Sequence, residues 1–320
     1  MTLLSVENLC VSYQTKNGVL NAVDDVSFHL EEGRSLGFVG ESGCGKTTIG
    51  MALMGLLPEN GMITQGRILY NDRDLVQLSD EAMRAVRWND IAMIFQAAMN
   101  ALNPVHRVHE QIREAIVAHH PDTPQAELQK RVEMLFDLVE IPRDRMQDFP
   151  HQFSGGMKQR AIIAMALACD PRLVIADEPT TALDVVVQDQ ILQEIKTIQD
   201  QMNISVIFIS HDIAVVADVC HDIAVMFAGQ IVEFGTREEV FNTPIHPYTR
   251  LLLSSYLTLD GEKPEPSTIP GKTPNLITPP VGCRFYKQCS QASSECENSA
   301  PEYRQVSPTH RALCNVVAYV

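Results

Sequence analysis

The chain is short of several things. No apolar run approaches the roughly 20 residues that a membrane-spanning helix needs, so no span is expected. The start, Met1-Thr2-Leu3-Leu4, carries no basic secretory leader, and the chain is expected to stay in the cytoplasm. Positive charge is scarce: 25 Lys and Arg against 40 Asp and Glu leave a formal net charge of −15. That balance disfavours a role built on coating phosphate backbones, and no nucleic-acid partner is expected. Solubility is the plainer account of the acidity. No internal repeat and no long low-complexity tract interrupts the 320 residues. The hydrophobic fraction of 45% supports a sizeable core. The length suits one large domain with an appendage, or two modest domains. Eight cysteines in a reducing compartment argue for thiols or metal ligands before disulfides.

The most informative stretch is Gly40-Glu41-Ser42-Gly43-Cys44-Gly45-Lys46-Thr47-Thr48, which reads G-x-x-x-x-G-K-T. It follows the apolar run Leu36-Gly37-Phe38-Val39, of buried-strand length, and precedes a helical run from Ile49 to Leu57 that stops at Pro58. Strand, glycine loop and helix are the setting that makes this pattern a phosphate site. Glycines let backbone N–H groups surround an anion where a Cβ would hold the chain away. The new helix adds its positive end. Lys46 is expected to reach the β- and γ-phosphates of a nucleoside triphosphate, and the Thr47 hydroxyl to ligate Mg²⁺. The bland alternative is a glycine-rich turn that only caps a helix.

Leu4 to Tyr13, Val26 to Leu30 and Gly66 to Tyr70 read as strands of a small antiparallel sheet. Ile91 to Phe95, Leu173 to Ala176 and Ile204 to Ile209 are nearly continuous apolar runs between helical stretches. Such runs indicate a parallel sheet covered on both faces. Each ends on a polar residue, at the edge where open α/β sheets bind ligands. The segment between Gln96 and Phe153 is helical in pattern, with Ala126, Leu128, Val132, Leu135, Phe136 and Val139 on one face. Ile223 to Phe227 and Ile231 to Phe234 flank Ala228-Gly229 as a hairpin. Thr236 to Glu239 then has capping-box spacing. The expected fold is α/β: a phosphate-loop NTPase core with a mostly parallel sheet. To it are added an N-terminal antiparallel β subdomain, a helical subdomain over residues 97–160 and a cysteine-containing C-terminal extension. The core is expected over residues 1–260, a proline-rich linker over 261–282 and the extension over 283–320.

Asp177-Glu178 closes one of the buried strands. Asp177 is expected to help hold Mg²⁺, and Glu178 to polarise the water that attacks the γ-phosphate. Gln96 and His211, at the ends of two further strands, are placed to orient water and sense the γ-phosphate. Ser154-Gly155-Gly156 opens an apolar helix with N-cap chemistry and exposed backbone N–H groups, a second anion site. Taken alone, it reads equally as an ordinary capped helix.

In order along the chain, Gly40–Thr48, Gln96, Ser154-Gly155-Gly156, Asp177-Glu178, Thr181-Ala182-Leu183-Asp184 and His211 resemble the ATP-binding subunit of an ATP-binding-cassette (ABC) transporter. The resemblance implies that Ser154-Gly155-Gly156 closes over ATP held by the phosphate loop of a second ATPase subunit, often a paralogue. It also implies that Tyr13 stacks on adenine and that Thr181 to Asp184 face the partner. Gly40, Ser42, Gly43, Cys44, Gly45, Lys46, Thr47 and Thr48 would hold the triphosphate, with Thr47, Gln96 and Asp177 on Mg²⁺. Asn103-Pro104, His246-Pro247-Tyr248-Thr249 and Ile269-Pro270-Gly271 before Cys283 resemble the dipeptide, oligopeptide and nickel importer branch. Phe153, Met157, Ala97-Ala98 and Gln288 depart from the commoner pattern. The implied partners are two membrane permeases and an extracytoplasmic binding protein, with the chain peripheral on the cytoplasmic face of the plasma membrane. The implied activity is ATP hydrolysis coupled to uptake of dipeptides or oligopeptides. A nickel or other metal-chelate importer is the near alternative, and a soluble cassette ATPase of DNA repair or translation the distant one.

Cys283, Cys289, Cys296 and Cys314 have the spacing C-x5-C-x6-C-x17-C, which suits neither a zinc knuckle nor the standard ferredoxin runs. Metal binding, thiols and disulfides all remain open on spacing alone. The resemblance implies a [4Fe–4S] cluster on these four residues.

Overall fold

Alternating and continuous apolar runs sort into different sheets. The structure, a computed structural model, describes residues 1–96, 101–181, 183–254 and 273–316. The Ala97-Ala98 turn, Ala182, residues 255–260 and the linker through Ile269-Pro270-Gly271 to Lys272 lie outside the described residues. The chain divides into two units, Met1–Glu31 with Ser35–Val76 and Ile209–Val320, and Glu32–Arg34 with Gln77–Phe208.

In the first unit, Gly18–Glu31, Thr2–Thr15, Gly61–Tyr70 and Arg73–Asp74 form an antiparallel sheet in that order. Its alternation is visible in Val26, Phe28 and Leu30, which are buried, while His29 between them is exposed. Phe28 meets Phe38 edge-on at 5.0 Å, which fastens this sheet to the strand Ser35–Val39. That strand is buried at every residue, as a continuous apolar run requires. It pairs in parallel with Asp222–Phe227, which pairs antiparallel with Gln230–Thr236. Ala228 and Gly229 join the hairpin with φ of +48° and +87°, the left-handed pair that a two-residue turn needs. Thr236 and Glu239 form the expected capping box at the start of helix Arg237–Asn242.

The C-terminal extension is part of this sheet. Arg311–Leu313 pairs with Gln230–Thr236, and Tyr303–Gln305 lies outside it. Strands of 3 residues are too short to register as alternation, so only long-range pairing shows them.

In the second unit, Ile91–Ile94 pairs in parallel with Leu173–Asp177. Ser205–Ser210, whose last two residues count with the first unit, lies on the other side of Leu173–Asp177 in the sheet order. Leu128, Val132, Leu135, Phe136 and Val139 are buried as the helical stripe predicts, whereas Ala126 is exposed one residue into helix Gln125–Leu138. Helix Gly155–Ala166 touches helices Val108–His119 and Gln125–Leu138 and the strand Ile91–Ile94. That common partner is why the helices group with the strands rather than apart from them.

Candidate nucleotide-binding site

The phosphate loop leaves the buried strand Ser35–Val39 at Gly40 and ends where Gly45 caps helix Lys46–Leu53. Two glycines are obligatory here. Gly40 has φ +151°, and a Cβ there would lie 2.1 Å from the Met226 carbonyl oxygen. Gly45 has φ +108°, and a Cβ would lie 2.5 Å from the Ala22 carbonyl oxygen. Both clashes are with backbone, which cannot step aside. The Lys46 side chain is buried, and its Nζ donates to the carbonyls of Gly40 at 2.8 Å and Glu41 at 3.0 Å. The cation is thus held against its own loop. Cys44 is buried within the loop, and burial pushes its thiol up, so it sits there as a neutral filler. Ser42, Gly43 and Thr47 are exposed. The Tyr13 hydroxyl donates to Thr48 Oγ1 at 3.3 Å, bringing an aromatic ring to the start of the helix that carries Lys46 and Thr47. His211 is exposed, one residue beyond the strand Ser205–Ser210.

The second unit carries the carboxylates. Asp177, at the end of Leu173–Asp177, is 1% exposed, and Glu178 follows it with φ +46°. That left-handed residue turns the chain sharply off the strand. Gln96 Nε2 donates to Glu178 Oε2 at 2.6 Å, and Thr181 Oγ1 donates to the same oxygen at 3.0 Å. The sequence singled out Gln96 and Glu178 independently, and parallel pairing of Ile91–Ile94 with Leu173–Asp177 brings them together. Thr181, read from the sequence only as part of a partner-facing loop, also orients the carboxylate. With its amide nitrogen on Glu178, Gln96 keeps its Oε1 as an acceptor. Gln96 and Asp177, both in the second unit, offer oxygen donors, the chemistry that suits Mg²⁺ completed by phosphate and water oxygens. Ser154 accepts from the Met157 N–H at 3.3 Å as the N-cap of helix Gly155–Ala166, and both Ser154 and Gly155 are exposed.

The four cysteines of the extension do not bear out the [4Fe–4S] expectation. Among the described residues, no group of three or more His, Cys, Asp or Glu side chains could hold a metal ion. None of the eight cysteines is disulfide-bonded. Burial pushes the Cys283 thiol up to about 11, and the charges of Cys314, Cys296 and Cys289 push the same way. Cys289 is raised by burial as well.

What holds the extension instead was not legible in the sequence. The Arg284 guanidinium donates to Asp24 Oδ2 and to the Ala228 carbonyl, with its side chain 7% exposed. Glu233, wholly buried, pairs with His310 Nε2 at 2.8 Å. Phe285 meets Phe227 edge-on at 5.3 Å.

Residues 23–181 match the family described as ABC transporter, and residues 232–296 match the oligopeptide/dipeptide transporter C-terminal region. The chain is 47% identical to the dipeptide transport ATP-binding protein DppD of Bacillus subtilis, over 98% of its own length and 94% of that protein. It is 44% identical to the oligopeptide transport ATP-binding protein OppD of Salmonella typhimurium, over 98% and 93%. Among solved structures, a dimeric ATP-binding cassette in a post-hydrolysis state with ADP and Pi superposes with a TM-score of 0.65 at 25% identity, covering 73% of this chain and 98% of that one. The cbiO1 protein of Clostridium perfringens, part of the cbiONQ transporter complex, gives a TM-score of 0.66 at 27% identity, covering 76% of this chain and 91% of that one.

Proposed function

This chain belongs to the ATP-binding subunits of ABC transporters, and from that premise we propose that it hydrolyses ATP to drive uptake of dipeptides or oligopeptides. The observation that carries the chemistry is the Glu178 carboxylate, oriented by Gln96 and Thr181. Lys46 binds the β- and γ-phosphates, and the loop glycines supply backbone N–H donors. Thr47, Gln96 and Asp177 would hold Mg²⁺, which would supply charge neutralisation on the phosphates. Glu178 takes the proton of the attacking water, and Gln96 fixes which carboxylate oxygen faces it. His211 senses the γ-phosphate, and Tyr13 offers its ring to adenine.

Ser154-Gly155-Gly156 serves the nucleotide of a second ATPase subunit, so that ATP bridges two surfaces and hydrolysis removes the bridge. The exposure of Ser154 and Gly155 supports this reading. So do Val185 and Val186, 81% and 68% exposed directly after Asp184, an apolar pair that suits a protein partner. No helix among the described residues is long and apolar enough to cross a membrane. In this reading two permeases seat the chain on the cytoplasmic face, and a binding protein delivers peptide outside. The metal-chelate and DNA-repair readings are not favoured, since the DppD and OppD relatives, which match over nearly the whole chain, are named for dipeptide and oligopeptide transport.

The test is uptake of a labelled dipeptide and of nickel in cells lacking this chain. Peptide uptake is expected to return with the wild-type chain and not with Glu178→Gln, with nickel uptake unaffected throughout. Full peptide uptake without the chain would refute the reading. Permeases co-purifying with it from detergent-solubilised membranes would support the partner assignment.

A further inference from the structure

The phosphate loop has a neighbour that takes no part in the chemistry above. The Tyr248 hydroxyl accepts a hydrogen bond from the backbone N–H of Glu41, the second residue of the loop, at 3.1 Å. Tyr248 is fully buried, with its ring 4.8 Å from Phe227 and 5.5 Å from Phe285. A ring packed on both neighbours makes its oxygen a fixed point.

The residues before it set that point. Glu233 accepts from the N–H groups of Ile245 and His246, each at 2.8 Å. His246 Nδ1 accepts from the Tyr248 N–H at 3.0 Å, the role of a helix cap. Pro247 opens helix Pro247–Ser254, where its missing N–H costs nothing. Burial holds the His246 pKa down to about 4, so its imidazole stays neutral and able to accept. His246 caps, Pro247 starts the helix, and Tyr248 presents its hydroxyl to the loop.

We propose that Tyr248 is a positioning residue for ATP binding, holding the Gly40–Thr48 loop in its nucleotide-ready conformation through the Glu41 N–H. Glycines at 40, 43 and 45 give this loop unusual backbone freedom, and a loop competent only part of the time binds correspondingly less tightly. Tyr248 removes one such freedom. It also takes the Glu41 N–H out of the set of donors offered to phosphate, while the Glu41 and Gly40 carbonyls go to Lys46. A second tie acts at the far side of the loop, where the Gly229 N–H donates to the Cys44 carbonyl at 2.9 Å.

The inference rests on reading Gly40–Thr48 as the ATP cradle. Tyr248→Phe deletes only the hydroxyl. With full-length protein, Mg–ATP affinity is measured by calorimetry, and the ATPase KM and kcat in the assembled transporter. The Kd and KM for ATP are expected to rise about three- to tenfold, the worth of one neutral hydrogen bond, with kcat within about twofold of wild type. Phe285→Leu keeps the hydroxyl but loosens the ring's seat, and is expected to raise Kd by about twofold, a smaller step in the same direction. An unchanged Kd in both variants overturns the proposal, as does a fall in thermal midpoint with affinity intact, which marks a purely structural role. Lys46→Ala separates the premise from the proposal. If it binds Mg–ATP like wild type, the cradle reading itself fails. If it loses binding while Tyr248→Phe does not, only the role of Tyr248 falls.

Discussion

Replacing Glu194 by glutamine is expected to stabilise the protein above neutral pH and to change little in acid. Glu194 lies on helix Val185–Met202 with its side chain 8% exposed and the Arg160 Nε 3.1 Å away. Burial drives its pKa from 4.5 up to about 7; Arg160 pulls it back, and the charge of Glu140 adds to the rise. A carboxyl raised by folding holds its proton more tightly in the folded chain. The stability this gives is fully present below about 4.5 and is lost as pH rises through about 7. At about 1.36 kcal/mol per pH unit the displacement amounts to ~3 kcal/mol, and screening by solvent trims it to about 1–3 kcal/mol. Glutamine keeps the shape and has no proton to lose. Thermal midpoints of both proteins at about pH 4 and pH 8 test this, since each kcal/mol moves a chain of this size by about 1.5 °C. The variant should match wild type at the lower pH and exceed it at the higher. If glutamine were instead the less stable at pH 8, attraction to Arg160 would outweigh burial and the reasoning would be wrong.

Glu178→Gln is expected to bind ATP, lose hydrolysis by at least about 100-fold and accumulate nucleotide-bridged pairs on size-exclusion chromatography; normal turnover would remove Glu178 from its role. Gly40→Ala should abolish ATP binding and lower the thermal midpoint, because its Cβ would sit 2.1 Å from the Met226 carbonyl. Gly43→Ala has nothing within 4 Å of its Cβ and should cost only the left-handed strain of about 1 kcal/mol. Equal losses in the two would contradict the geometry. Arg284→Met strips Asp24 and the Ala228 carbonyl of a buried partner, and should cost about 2–4 kcal/mol in urea unfolding. An unchanged midpoint would mean that Arg284 is not what holds the extension down.

The order of the motifs in the chain determined most of the catalytic list. Gly40–Thr48 announces a phosphate loop because glycine spacing and a following helix leave the backbone few other uses. Leu173 to Asp177 announces a buried strand ending on a carboxylate because a continuous apolar run has no wet face to declare. The hairpin at Ala228-Gly229 and the capping box at Thr236 were legible for the same reason: their signals are local. Tertiary structure alone decided which of these residues meet. Gln96 reaches Glu178 only because two strands separated by many residues pair in parallel, and pairing partners leave no mark within either strand. The spacing of the four extension cysteines left their state open, and the burial that raises the Cys283 thiol is a property of surroundings no spacing records. The extension looked like an appendage because its strands are too short to show a period. Its attachment through Arg284, Phe285 and His310, and the hold of Tyr248 on the phosphate loop, depend on contacts between residues distant in the chain, and such contacts exist only once it has folded.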